Sequence, residues 1–262
     1  MKRLLNNILA AIASCALLSS GIATAQWGDL RLKFVVDGEV PKLTAPEVTK
    51  DKEICTNNGK RKVANESFVV GKEGGLKEVV VFLVPDGDKP VKTHPSYEAT
   101  ANDKVTLDNK ACAFVPHIAL VRTGQTLVIT NSDPTGHNSQ YNFTANKQSS
   151  NPLIAAKGEH KVGELKKREV RVQPVSCAIH PWMLGYVLIQ DHPYMATSDE
   201  EGVLEIKNLP VGKHSFQMWQ DNNGYVNPTG GKVKATKGKA TIEIKEGLND
   251  LGEVKVKYKA PK

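Results

Sequence analysis

Apolar and polar residues take turns at every second position in segment after segment of this chain. LRLKFVVDGEV, KEVVVFLVP, ALVRTGQTLVITN, REVRVQP, GYVLIQD, VLEIKNLP, HSFQMW, ATIEIK and EVKVKY are short, rich in β-branched residues and bounded by Gly, Pro, Asn or Asp. A two-residue period puts one set of side chains on each face of an extended strand, so these segments predict strands. Long helical periodicity is absent, and the best helical candidate is a turn or two near residues 151–158. Short strands at regular spacing, separated by turn residues, predict an all-β protein of sandwich architecture.

The first residues predict export. Lys2 and Arg3 precede the apolar run ILAAIASCALLSSGIA, and Ala23-Thr24-Ala25 has the small-residue form of a signal-peptidase site. Cleavage there makes residues 1–25 a signal peptide and Gln26 the first mature residue. Ile12-Ala13-Ser14-Cys15 also has the form of a lipobox, and the alternative is a lipid on Cys15. No later segment has the roughly 18 apolar residues a membrane helix needs. The expected location is the periplasm or the exterior.

The remaining length suits one large or two small domains. The expected division is 26–192, which holds every candidate ligand, and 193–262, with the opening strand LRLKFVVDGEVP free to pack with either unit. Residues 85–110, rich in Asp, Lys and Pro, read as a surface insertion. The net charge of +7 gathers toward the end, where KVKATKGKATIEIK and KVKYKAPK alternate lysine with apolar residues. That reads as the solvated face of strands, with a binding surface for an acidic partner as the alternative, and nothing in it has the form of a nucleic-acid module.

Cleavage removes Cys15 and leaves Cys55, Cys112 and Cys177, an odd number for an oxidising compartment. Cys177 lies among other ligand types, in SCAIHPWMLGYV, whereas Cys55 and Cys112 do not. The expectation is a Cys55–Cys112 disulfide with Cys177 left for chemistry. In Cys177-x-x-His180-x-x-Met183 a thiol, an imidazole and a thioether recur every third residue, between two strands. One thiolate, two imidazoles and a weak axial thioether make an electron-transfer copper site. A second imidazole is available at His137, just beyond the strand TLVIT and the turn Asn-Ser-Asp-Pro-Thr-Gly.

The pairing of GQTLVITNSDPTGHN with CAIHPWMLGYV resembles the cupredoxin family, and the short Cys-x-x-His-x-x-Met spacing is most similar to amicyanin. The resemblance spans roughly residues 117–190 and implies a Greek-key β-sandwich with one type 1 copper ion. On it His137, Cys177 and His180 are in-plane ligands and Met183 is axial. Gly136 offers a carbonyl from the opposite side, and Asn138 ties the two ligand loops together. The segment YMATSDEEGVLEIKNLPVGKHSFQMWQDNNGYV resembles the carboxypeptidase regulatory-like (prealbumin-like) module, which implies a smaller, non-catalytic β-sandwich after the first.

The expected function is that of an exported blue-copper protein passing single electrons, not an enzyme, with a redox partner such as a c-type cytochrome or a dehydrogenase. Trp182, Pro181, Leu184 and Pro134 are expected around an exposed edge of His180, either as loop packing or as a docking patch. The competing readings are a metal-free adhesion or carbohydrate-binding sandwich, copper storage or delivery, and a zinc site. His94, His160 and His214 lie in polar stretches, and His192 lies at the domain junction. His117 reads as a structural histidine or part of a second metal site.

Overall fold

The computed structural model describes residues 27–71 and 73–260; the expected signal peptide, with Cys15, lies outside the described residues. The protein is all-β, with strands in five sheets and only three single-turn helical segments among the described residues. No helix among them is long and apolar enough to cross a membrane.

Two sandwiches account for most of the strands. In the first, a sheet ordered Glu159–Lys161, Thr126–Asn131, Lys104–Lys110, Ala113–Val115 faces a five-stranded sheet. The latter is ordered Ile118–Arg122, Leu184–Gln190, Gln173–Ser176, Gln140–Phe143, Gln148–Ser150. Leu107, Phe114, Val121, Ile129, Phe143, Val175 and Val187 fill the space between them. Gly185 is required by that packing: a Cβ there would lie 2.7 Å from Cβ of Phe114.

The second sandwich draws its strands from both ends of the chain. Trp27–Val36 pairs antiparallel with Val203–Pro210 and parallel with Gly247–Val256, while Val80–Val84 pairs with Met195–Thr197 and Gly212–Gln220. Strands from before residue 85 therefore lie in the later sheets: the opening strand packs with the second unit, and Val80–Val84 joins it there. The alternation Leu30, Leu32, Phe34 explains this: all three are fully buried in the second core, together with Leu204, Ile206, Phe216 and Val254.

Two strands are apolar on both faces, which is how a continuous apolar run reads when a strand is covered on either side. In Val80–Val84, Val81 and Leu83 enter the second core, while Val80 and Phe82 face a third cluster. In Leu184–Gln190, Val187 and Ile189 enter the first core, while Tyr186 and Leu188 join Val80, Phe82 and Ile118 in that cluster. This third cluster is the apolar joint between the sandwiches.

Two sequence expectations are corrected. The segment 85–110 is not all insertion, because Lys104–Lys110 is a strand with Leu107 and Asn109 buried, parallel to Thr126–Asn131. The segment 151–158 is not helical. Its Leu153–Ile154 pairs with His137–Asn138, so the candidate ligand His137 is held by strand pairing.

His192 sits buried at the joint, its Nε2 3.0 Å from the Leu83 carbonyl and its Nδ1 accepting the Tyr194 N–H. Burial drives its pKa down to about 4. A depressed histidine favours the folded state while neutral, so its contribution is complete above about pH 6.5 and is lost as pH falls toward 4. The shift corresponds to about 3 kcal/mol. His192→Gln is expected to flatten the acid limb of the stability–pH curve, measured by denaturant unfolding between pH 4 and 7. An unchanged slope would remove His192 from the acid response.

Candidate metal centre

His137, Cys177 and His180 come from two separate loops, and the fold brings them together. One donor atom from each lies within 4.8 Å of the others, and all three side chains are buried. Cys177 is the free cysteine among the described residues. The expected Cys55–Cys112 bridge is formed. A second cluster, Cys112, Asp133 and His137, meets the same distance limit, but the Cys112 sulfur is committed to that bridge.

The loop after Gln173–Ser176 is closed by its own backbone. The Met183 N–H donates to the His180 carbonyl at 2.9 Å, and the Cys177 N–H donates to the Met183 carbonyl at 3.2 Å. Met183 is buried in the same core cluster as Cys177. Asn138 bridges the two loops: its Oδ1 accepts from the Ile179 N–H at 3.1 Å and from the Cys177 thiol at 3.3 Å, and its amide donates to Asn151. Gly136 precedes His137, with Leu153 and Ile154 facing its α carbon.

Each imidazole has one nitrogen on a carboxylate. His137 Nε2 lies 3.0 Å from Asp133 Oδ2, and His180 Nε2 lies 2.8 Å from Asp51 Oδ2. This leaves the two Nδ1 atoms for the centre. His180 Nδ1 is 3.7 Å from the Cys177 sulfur, and His137 Nδ1 is buried with no hydrogen-bond partner. An orphaned, buried imidazole nitrogen is costly unless something occupies it. Carboxylates that fix the ring through its far nitrogen are the usual outer support of metal-bound histidine.

Asp133 is itself fixed, accepting from the Ala111 N–H at 2.6 Å and the Cys112 N–H at 2.8 Å. Burial works against its charge, but the His137 hydrogen bond and the two backbone N–H groups hold its pKa below the usual range. Burial likewise opposes charge on His137, yet Asp133 and Cys177 carry its pKa up to about 9. Burial also raises the Cys177 thiol, but the neighbouring His137 ring and the surrounding backbone N–H groups outweigh it and the pKa falls. A thiolate is thus favoured where a soft donor is wanted. His180 is shifted down, chiefly by burial, with the His137 charge adding to it and Asp51 opposing.

His180 has no exposed edge; it is fully buried. Sequence reasoning put Pro181, Trp182, Leu184 and Pro134 around an open edge, but Asp51 covers it. Val48, Ile54, Cys55 and Val63 pack into the first core and lay this strap across the site, with the Cys55–Cys112 bridge fastening it. Asp51 precedes the single helical turn Lys52–Cys55 yet makes no side-chain cap to it, because its carboxylate is on His180. Trp182 stacks at a tilt beside His180, ring centroids 5.2 Å apart, and donates to the Cys112 carbonyl.

The other histidines stand apart. His94, His160 and His214 are half-buried rather than exposed, each hydrogen-bonded, to Ser96, Tyr141 and the Pro210 carbonyl respectively. Asp133 and Asp51 were missed by sequence reasoning. Asp133 is four residues before His137 and has a local signal in its turn; Asp51 has none.

No family model and no curated protein matches this chain. Solved structures similar to part of it include amicyanin variants, a purple cupredoxin and a copper-containing nitrite reductase. A mutant of amicyanin in its reduced Cu(I) form matches at 17% identity over 40% of this chain and 85% of its own, with a TM-score of 0.29. A purple cupredoxin from Nitrosopumilus maritimus matches at 21% identity over 34% of this chain and 99% of its own, TM-score 0.27. A copper-containing nitrite reductase from Thermus scotoductus matches at 18% identity over 41% of this chain, TM-score 0.29; the aligned part is 25% of that enzyme's length. Likeness at this level carries no argument about chemistry, which rests on the residues themselves.

Proposed function

We propose that this chain holds one copper ion through His137 Nδ1, Cys177 Sγ and His180 Nδ1, with Met183 as a weak axial donor, and that it carries single electrons between exported redox proteins rather than catalysing a reaction. The observation that supports this best is the meeting of two Nδ1 atoms and one thiol at a buried point, with both Nε2 atoms already on carboxylates. Two imidazoles and a thiolate suit Cu(I) and Cu(II) alike, which is the chemistry the ion would supply.

The protein's own part is to hold these donors still. Asn138 fixes the distance between the loops, Asp133 and Asp51 fix the two rings, and the disulfide fixes the strap. A closed, braced site favours a resident ion over one handed on, which sets electron transfer ahead of delivery. With His180 covered, the half-exposed Trp182 ring beside it offers the route to a partner, such as a c-type cytochrome or a dehydrogenase. The N-terminal pattern is consistent with a periplasmic or secreted carrier.

Purified mature protein titrated with Cu(II) is expected to take up one equivalent and to develop an intense visible thiolate-to-copper absorption, bleached by reductant and restored by oxidant. A protein that stays colourless and copper-free by elemental analysis would defeat the proposal.

A further inference from the structure

The tripeptide Asn-Asn-Gly occurs twice in this chain, in TNNGK at 56–60 and in DNNGY at 221–225. Asparagine before glycine is the pairing most open to attack by the main chain on a side-chain amide, because glycine puts no Cβ beside the attacking nitrogen. The fold treats the two copies differently. Asn223 is buried, and its carboxamide is held at both ends: Nδ2 donates to the Lys257 carbonyl at 2.8 Å, and Oδ1 accepts from the Lys259 N–H at 3.1 Å. Gly224 lies in a strand, paired with Gln220. Asp221, at the head of this copy, is fixed as well, by His117 Nε2 at 3.1 Å and by the Tyr186 hydroxyl. Asn58 is exposed, and among the described residues nothing bonds to its carboxamide. The Gly59 N–H donates to the Thr56 hydroxyl at 2.9 Å on the solvent side, and a Cβ built on Gly59 would meet nothing within 4 Å. Asn57, Asn58 and Gly59 follow one another in left-handed backbone, φ 48°, 54° and 81°, a region that suits glycine better than either asparagine.

We propose that Asn58 is a site of spontaneous covalent modification, at which the exposed carboxamide is converted to aspartate and isoaspartate while the buried Asn223 is spared. The Gly59 nitrogen loses its proton to solvent base and attacks Cγ of Asn58. The bond from Cγ to the amide nitrogen breaks, and ammonia leaves with a proton taken from solvent. Water then opens the resulting five-membered imide at either carbonyl. Opening at one gives aspartate, and opening at the other routes the main chain through the side chain as isoaspartate. No group beyond water is consumed. Either product puts a negative charge beside Lys60, Arg61 and Lys62, and isoaspartate lengthens the main chain by one methylene. The change falls in the strap, between the core residues Cys55 and Val63. The turn there folds back on Lys52–Cys55: the Asn58 N–H donates to the Glu53 carbonyl at 2.7 Å, and the Arg61 N–H donates to the Thr56 carbonyl at 2.8 Å. A lengthened residue 58 must be accommodated within those two bonds.

The test incubates the full mature chain, folded, at mildly alkaline pH, followed by reduction, digestion and mass spectrometry. The peptide holding residue 58 is expected to gain the mass of an amide-to-acid change and to contain isoaspartate, at a rate at least tenfold above that at residue 223. The rate should rise with pH, because the attacking nitrogen must lose its proton. In denaturant the two asparagines should convert at similar rates, since each then lies in the same Asn-Asn-Gly of an unfolded chain. Asn58→Gln, a substitution at an exposed position, should remove the acidic charge variant that isoelectric focusing resolves. The proposal is overturned if residue 58 stays intact in the folded chain while converting in denaturant, if residue 223 keeps pace with it in the folded chain, or if the acidic variant persists in Asn58→Gln. The measurement needs no metal, so its failure leaves the copper reading intact, and a colourless protein with Cu(II) leaves this one intact.

Discussion

Cys177→Ser is expected to abolish both the visible absorption and the copper-induced stabilisation. The sulfur is one of the three converging donors, and its pKa is depressed by His137 and the surrounding N–H groups, so it is poised as a thiolate. A serine hydroxyl does not ionise under these conditions and gives Cu(II) no sulfur charge transfer. An ion that binds only the folded state stabilises it by about 4 kcal/mol at free concentrations near 1,000 times Kd. For a chain of this size each kcal/mol moves Tm by roughly 2–4 °C. Wild type should therefore rise by roughly 10 °C with Cu(II), and the variant should hardly move. Without metal the two should be similar, because serine retains a hydrogen bond to Asn138 Oδ1. Met183→Leu is the control: loss of a weak axial donor should leave an absorbing, stabilised protein with a shifted reduction potential. If Cys177→Ser keeps its colour or its copper-dependent Tm, the thiolate is not a ligand.

The sequence was legible where its signals are local. Period-two alternation marked LRLKFVVDGEV and ATIEIK as strands, and the strands Trp27–Val36 and Lys239–Ile244 found there each have one buried face. The Cys177, His180 and Met183 set was visible because one loop contains it. His137 was visible because a strand end precedes it. Sheet membership was not visible. Nothing in LRLKFVV says that Leu30, Leu32 and Phe34 pack with Phe216 and Val254, some two hundred residues later. The strap was equally hidden: Asp51 meets His180 across 129 positions, and no local motif ties the two. His117 and Asp221 are 104 positions apart, and only the packing of one sandwich on the other makes them neighbours.

Removing the Cys55–Cys112 bridge should cost the protein both stability and its hold on copper, and Asp51 separates the two effects. The bridge closes a loop of sequence separation 57, for which the chain-entropy relation gives about 4 kcal/mol. The double substitution Cys55→Ser with Cys112→Ser is expected to lose about that much in denaturant unfolding of the copper-free protein. It also unfastens the strap that carries Asp51 and loosens the backbone beside Cys112, whose N–H holds Asp133. Both rings lose their outer support, so copper should pass to a chelator faster. Asp51→Ala keeps the bridge and deletes the carboxylate's hydrogen bond to His180, about 1 kcal/mol of stability, and a longer one from the Thr135 hydroxyl. Outer-support losses of this kind typically weaken metal binding tenfold to a hundredfold. Asp51→Ala should therefore approach the bridge variant in copper release while staying near wild type in unfolding. If its release rate instead equals that of wild type, the strap is a staple for the sandwich alone, and His180 is held by the loop that carries it.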